Sequence, residues 1–178
     1  EMMNWFPLSE HTQSIGSIAV APDDSTVVSG AWDGSMILWD TPPIGAFIRA
    51  FVGHRAPVIS LAYSRDGRHV LSGSKDGVVR LWDIGGPTQI DRFEIEHPLV
   101  NRRPIDPLHN VAIDEQRHRA LSGTAGAIIL WNLDTGEVIR RFPAPDVRLS
   151  SVAISPDGQT ALTADIGDIS LWDLETGN

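Results

Sequence analysis

The sequence predicts an all-β fold made of four repeated antiparallel sheets. Four tryptophans, each preceded by an apolar residue and followed by Asp or Asn, lie 43, 49 and 41 residues apart at Trp39, Trp82, Trp131 and Trp172. Short β-rich runs alternate with Asp-Gly and other glycine-containing turns, which is typical of antiparallel hairpins. No segment shows sustained helical periodicity. These three observations together predict β-structure throughout the chain.

The second repeat shows the order of elements within one unit. It reads GHRAPVISLAYSRDGRHVLSGSKDGVVRLWD, with turns at Asp66-Gly67 and Asp76-Gly77. A period of about 40–45 residues ending in this Trp-Asp dipeptide is the signature of a four-stranded propeller blade. The unit closely resembles the WD-repeat family, and the resemblance covers essentially the whole chain. It implies a WD-repeat β-propeller with four blades per chain, each a four-stranded antiparallel sheet.

The repeats place approximate blade boundaries along the chain. The blades are expected at residues 11–52, 54–95, 97–142 and 145–178. The last unit stops after its third strand, whereas residues 3–8 read as an outermost strand that precedes the first unit. By the closure that is usual in WD-repeat proteins, strand 3–8 is expected to complete the fourth blade.

Composition and charge argue against several classes of partner and location. The 178 residues are 42% hydrophobic, which suffices for a substantial core, and no stretch is long and apolar enough to span a membrane. The formal net charge of −9 argues against nucleic acid as the main partner, because binding its backbone requires clustered Lys and Arg. The chain has no cysteine and its first ten residues show no secretory signal, so a cytoplasmic location is expected.

Repeated polar residues form a set that could be mistaken for an active site. His54, Ser72 and Asp76 are the ingredients of a nucleophilic triad. The WD-repeat resemblance instead implies a structural hydrogen-bond network, and a triad copied at the blade period favours this interpretation. The expected network consists of His11, Ser29, Asp33, Trp39, His54, Ser72, Asp76, Trp82, His97, Ser122, Trp131, Thr163 and Trp172. We therefore expect no catalytic residue and no enzymatic activity.

The sequence contains no motif typical of a metal or cofactor site. His109 and His118 are nine residues apart on different predicted strands, and the Asp-Gly turns lack the alternating carboxylates of a calcium loop. No phosphate-binding loop occurs in the sequence. We expect neither a metal nor a cofactor.

Candidate partner-binding residues depart from the repeat at positions expected to be exposed. Trp32 and Lys75 precede the network aspartates in equivalent turns, and Arg55 follows a network histidine. By resemblance, these turns lie on the ring face that many WD-repeat proteins use for partners, and aromatic anchors dominate interface hot spots. The alternative is that Trp32 packs on the loop of a neighbouring blade.

An insertion in the third unit is a second candidate. Residues 98–110 lengthen a loop on the same face and carry Arg102 and Arg103, a basic pair suited to carboxylate or phosphate groups. The alternative is a solvated loop without function.

These patterns predict a non-enzymatic scaffold that binds a protein or peptide. One alternative is a sensor or autoinhibitory segment of a larger signalling protein, which flanking kinase or nucleotide-binding sequence would reveal. Another is an enzyme with a site in the central funnel, which a turnover screen would detect. Fold alone does not decide among them.

Closure of the ring poses a separate question. WD-repeat rings usually have seven blades, so four would leave an open arc with an apolar flank at each end. Either two chains join head to tail into a homodimer with an eight-bladed ring, or the chain is part of a longer propeller. The donor strand at one end and the vacancy at the other favour the homodimer.

Overall fold

The computed structural model describes residues 9–41, 46–86, 90–96, 110–124, 126–143, 149–165 and 167–177, with the backbone alone for 90–96. Within these residues fifteen strands form four separate antiparallel sheets. The predicted all-β fold of repeated antiparallel sheets is therefore confirmed.

The strands follow one another through the four sheets in chain order. The first sheet contains β1 (Ile15–Val20), β2 (Thr26–Ala31), β3 (Met36–Asp40) and β4 (Phe47–Phe51). The second contains β5 (Val58–Tyr63), β6 (His69–Ser74), β7 (Val78–Asp83) and β8 (Ile90–Glu96). The third contains β9 (Asn110–Asp114), β10 (Arg119–Thr124), β11 (Ala127–Asn132) and β12 (Val138–Pro143), with one 3₁₀ turn at Glu115–Arg117. The fourth contains β13 (Ser151–Ile154), β14 (Thr160–Ala164) and β15 (Ile169–Asp173).

The fourth sheet has three strands within the described residues, where four were expected. The strand expected to complete it, residues 3–8, lies outside the described residues. Completion of the last blade by that strand therefore remains a prediction, and the same holds for the proposed blade boundaries.

Tight turns join the second and third strands of the first two sheets. Gly34 and Gly77 occupy equivalent positions there, each with a φ of 82°. Glycine adopts this left-handed conformation without the steric penalty that a Cβ would bring, which explains the Asp-Gly signature in both repeats. These turns place the residues that precede the glycines at one end of their sheets.

Consecutive sheets pack face to face through three apolar cores. The first core joins Val28 and Leu38 of the first sheet to Val70 and Trp82 of the second. Equivalent cores join the second sheet to the third and the third to the fourth. The first strands of consecutive sheets, β1, β5, β9 and β13, lie beside one another and form the inner edge of the arc. The result is a row of stacked sheets with a shared inner edge.

Candidate functional site

Trp32 and Lys75 meet across the junction between the first and second sheets. The Lys75 Nζ atom lies 4.3 Å from the centroid of the Trp32 ring, a cation–π contact. The indole is nevertheless 48% exposed. Trp32 thus contacts a side chain of the neighbouring sheet and still presents about half of its surface to solvent.

Backbone hydrogen bonds hold the two turns in place. The Trp32 amide donates to the Ser14 carbonyl at 2.9 Å, and the Lys75 amide donates to the Pro57 carbonyl at 2.9 Å. The turns also lie close to the loop between the sheets, since a Cβ on Gly34 would come within 2.8 Å of the His54 carbonyl oxygen. The exposed indole is therefore carried by a backbone whose position is set by both sheets.

Arg55 belongs to the same surface. Its amide donates to Asp76 Oδ2 at 2.9 Å, which ties the loop to the turn that carries Lys75, and its side chain is exposed. We refer to Trp32, Arg55 and Lys75 as the turn surface. The other two predicted binding residues, Arg102 and Arg103, lie outside the described residues.

A hydrogen-bond chain runs through the second sheet beneath the turn surface. The Trp82 indole N–H donates to Ser72 Oγ at 2.7 Å, and Ser72 Oγ lies 2.7 Å from His54 Nε2. His54 Nδ1 lies 2.9 Å from Asp76 Oδ2. Because an ionised carboxylate only accepts, Nδ1 of His54 carries a proton and donates to Asp76; with the ring neutral, Nε2 accepts from the Ser72 hydroxyl. Ser72 Oγ also lies 3.4 Å from the Arg80 carbonyl oxygen.

The hydrogen bonds to Asp76 favour the ionised form of its carboxyl group. Burial by itself would raise the pKa of Asp76, but hydrogen bonds from His54 and from the amides of Arg55 and Val78 outweigh it and lower the pKa to about 2. At neutral pH the carboxylate is therefore ionised and acts as the final acceptor of the chain.

The first sheet contains the same chain with one additional member. The Trp39 N–H donates to Ser29 Oγ at 2.7 Å, and His11 Nε2 lies 2.6 Å from that oxygen. His11 Nδ1 contacts Ser35 Oγ at 2.8 Å rather than Asp33, whose nearest carboxylate oxygen is 3.9 Å away. Ser35 Oγ in turn donates to Asp33 Oδ1 at 2.6 Å. The histidine is linked to its aspartate through a serine.

Ser35 is not among the residues predicted for this network. The only signal is that Ser35 follows Asp33-Gly34, where the second repeat has Val78 after Asp76-Gly77. The pKa values of both His11 and Asp33 are shifted in this arrangement. Burial lowers the pKa of His11 despite the opposing charge of Asp33. Burial alone would raise the pKa of Asp33, but hydrogen bonds from Ser35 and Thr12 lower it well below its usual range.

The hydrogen bond from a tryptophan to a hydroxyl recurs in the third and fourth sheets. The Trp131 N–H donates to Ser122 Oγ at 2.6 Å, and the Trp172 N–H donates to Thr163 Oγ1 at 2.9 Å. Trp131 is buried, whereas Trp172 is only half-buried. His97, the predicted histidine of the third network, lies outside the described residues.

This difference predicts unequal stability along the chain. We expect backbone amides to exchange faster in residues 111–131 and 152–172 than in residues 18–39 and 61–82, because the hydrogen-bond chains that start at the tryptophans of the latter two regions extend to Asp33 and Asp76. Hydrogen–deuterium exchange followed by mass spectrometry measures this directly. Equal protection of all four regions would contradict the prediction.

The buried position of the serines bears on whether the triads are catalytic. Ser72 has no exposed surface, and its oxygen already accepts from Trp82. A nucleophilic serine must reach the carbonyl of a substrate, which this burial prevents. The arrangement instead pairs buried polar groups and holds neighbouring strands in register.

Among the described residues, no group of three or more His, Cys, Asp or Glu residues is placed to hold a metal ion. Within the same part of the chain, no helix is long and apolar enough to cross a membrane.

Comparison with known proteins agrees with the repeated architecture. The family model described as WD domain, G-beta repeat matches residues 5–40 and 45–83, which include the first two tryptophan repeats. A search of curated proteins finds no match. WD repeats generally indicate protein-interaction scaffolds, and proteins built from them are typically non-enzymatic. Residues 5–40 and 45–83 thus match WD repeats, and the four antiparallel sheets and the Trp–Ser–His hydrogen bonds support a WD-repeat family for this chain.

Proposed function

We propose that this chain is a non-enzymatic scaffold that binds a protein or peptide segment at the turn surface. The observation that carries the proposal is the half-exposed Trp32 indole with the Lys75 ammonium over its ring. Tryptophan is the residue type most enriched at interface hot spots, and half-exposed positions at the end of a rigid sheet suit such a role. Both turns are held by backbone hydrogen bonds, so binding would order little additional chain.

The charges around the indole indicate the chemistry of the partner. In a chain whose net charge is −9, Lys75 lies over the Trp32 ring, and the exposed Arg55 is in the loop that is bonded to the Lys75 turn. The nearby carboxylates of Asp33 and Asp76 are occupied by hydrogen bonds from their own turns and loops. They therefore compete weakly with a partner carboxylate for the positive charges of Lys75 and Arg55. We infer that the preferred segment carries an apolar or aromatic side chain next to a carboxylate.

The proposal also covers the class and location of the partner. A net charge of −9, with one lysine in the whole sequence, disfavours a nucleic acid, and we propose a protein partner in the cytoplasm. Arg102 and Arg103 are proposed to extend the same positive surface.

Selection from a displayed peptide library tests the proposal. We expect enriched peptides to contain an acidic residue beside an apolar one, and fluorescence polarisation to show at least a tenfold loss of affinity for Trp32→Ala and Lys75→Glu. Tenfold corresponds to about 1.4 kcal/mol, well within the range for a hot-spot residue. Ile139→Ala serves as the matched control, because Ile139 is also about half exposed at 47% but lies on β12 in the third sheet.

Thermal unfolding of the same variants separates binding from folding. Trp32→Ala should change the free energy of unfolding by less than about 1 kcal/mol, as expected for a substitution at an exposed turn. Unchanged peptide affinity in Trp32→Ala, or a stability loss as large as that of a core variant, would contradict the assignment of Trp32 to a binding surface.

A further inference from the structure

The three junctions between consecutive sheets use the same cross-strand pair. The residue before each tryptophan and its partner in the preceding strand pack on the next sheet, and these pairs are Val28–Leu38, Leu71–Leu81 and Leu121–Leu130. All six side chains are at most 4% exposed. The pair is therefore the contact by which each sheet packs on the sheet after it.

The fourth sheet has this pair with nothing packed on it in the described structure. Leu162 and Leu171 are directly opposed in the sheet, yet they are 47% and 65% exposed. Ile169 lies on the same face and is 75% exposed, whereas the equivalent residues of the other sheets, Met36, Val79 and Ile128, are at most 1% exposed. We call Leu162, Ile169 and Leu171 the leading face.

The first sheet also has an uncovered apolar face, on the side that points away from the second sheet. Ile15, Ile18 and Val20 of β1 are 48%, 65% and 52% exposed. The equivalent residues of the fourth sheet, Leu149, Val152 and Ile154, pack in the core that joins it to the third sheet. We call Ile15, Ile18 and Val20 the trailing face.

The leading and trailing faces are thus the two halves of a junction that already occurs three times in the molecule. We propose that the leading face of one chain packs on the trailing face of a second copy, so that two copies associate head to tail through two identical junctions. Apolar surface of this extent marks an interaction site, and the residue pattern that covers each face is present on the same chain. This proposal is independent of peptide binding at the turn surface.

The geometry of the contact also defines how many copies it joins. A head-to-tail contact closes into a ring when its rotation completes a full turn and otherwise extends into a filament. Two copies supply eight sheets, which lies within the range of about four to eight blades in closed propellers. A pair of chains is therefore the closed assembly that we infer.

The test is the molar mass in solution, measured by light scattering over a series of protein concentrations. Wild type should show twice the 19.4 kDa mass of one chain. Leu171→Lys and Ile18→Lys should each be monomeric. Each junction contains one leading and one trailing face, so either substitution places a charge in both junctions of the dimer. Ile139→Lys is the matched control and should remain a dimer, since Ile139 is exposed outside the two faces. Leu162→Lys provides a second leading-face variant, and circular dichroism verifies that each variant is folded.

Mixing the two single variants distinguishes this mode of association from contacts between like faces. An Ile18→Lys chain retains its leading face and a Leu171→Lys chain retains its trailing face, so the mixture should regain a heterodimer through one intact junction. Contact between two leading or two trailing faces would instead leave one of the variants dimeric by itself. A monomeric wild type, a dimeric Leu171→Lys, or growth into longer species with concentration would overturn the proposal.

Discussion

Replacing Trp82 with alanine should lower the free energy of unfolding by about 3–5 kcal/mol, the range for deleting a buried aromatic side chain. Trp82 is 1% exposed and packs edge-on against Phe51, with 5.6 Å between ring centroids. It lies in the core that joins the first two sheets, and its N–H is the first donor of the buried hydrogen-bond chain. The substitution therefore leaves a cavity in this core and removes the N–H that donates to Ser72 Oγ. Urea unfolding followed by circular dichroism measures the loss.

The equivalent tryptophan of the fourth sheet is the matched control. Trp172 also packs edge-on against a phenylalanine, Phe142, and donates to a hydroxyl, but it is only half-buried. We expect Trp172→Ala to cost about half as much as Trp82→Ala, because less apolar surface is removed from the core. Trp82→Phe should fall between wild type and Trp82→Ala, since it keeps a ring and loses the N–H. Equal losses in the two alanine variants would contradict the role assigned to burial.

Asp76→Ala should destabilise the protein by about 1–3 kcal/mol, the cost of leaving buried polar groups without a partner. The carboxylate accepts from His54 Nδ1 and from the Arg55 amide, and His54 is 7% exposed. Asp33→Ala is the informative comparison, because His11 keeps its contact with Ser35 when Asp33 is removed. We expect Asp33→Ala to cost less than Asp76→Ala. The reverse order would show that the serine does not support the histidine.

The effect of Asp76→Ala should also depend on pH. The pKa of Asp76 is lowered to about 2 from an ordinary value of 3.8, so the folded state favours the ionised form. Its contribution is fully present above about pH 4 and is lost as the pH falls through the folded pKa. The difference in unfolding free energy between wild type and Asp76→Ala should therefore shrink between about pH 4 and pH 2. A difference that stays constant across this range would contradict the assignment of the carboxylate as the acceptor.

The residues of the turn surface could be predicted from the sequence, but the contact between their side chains could not. The interruption of the repeat at Trp32 and Lys75 is visible in the sequence, and so are the two possibilities of exposure and packing on a neighbour. The structure combines them, since the indole contacts Lys75 and remains 48% exposed. Residues 43 positions apart meet because the sheets stack, and the repeat pattern contains no information on the distance between side chains of adjacent turns.

The β-structure and the number of repeated sheets could be predicted from the sequence alone. Periods of two along a strand and about 43 along the chain follow from backbone geometry and turn chemistry, which act locally and are therefore readable in sequence. It also predicted that an open arc exposes apolar flanks. The exposure of Leu162 and Leu171, the burial of Leu71 and Leu81, and the position of Ser35 between His11 and Asp33 depend instead on how the chain folds in three dimensions. Burial and side-chain contact depend on which other sheet or turn occupies the neighbouring space, and identical local patterns do not specify that neighbour.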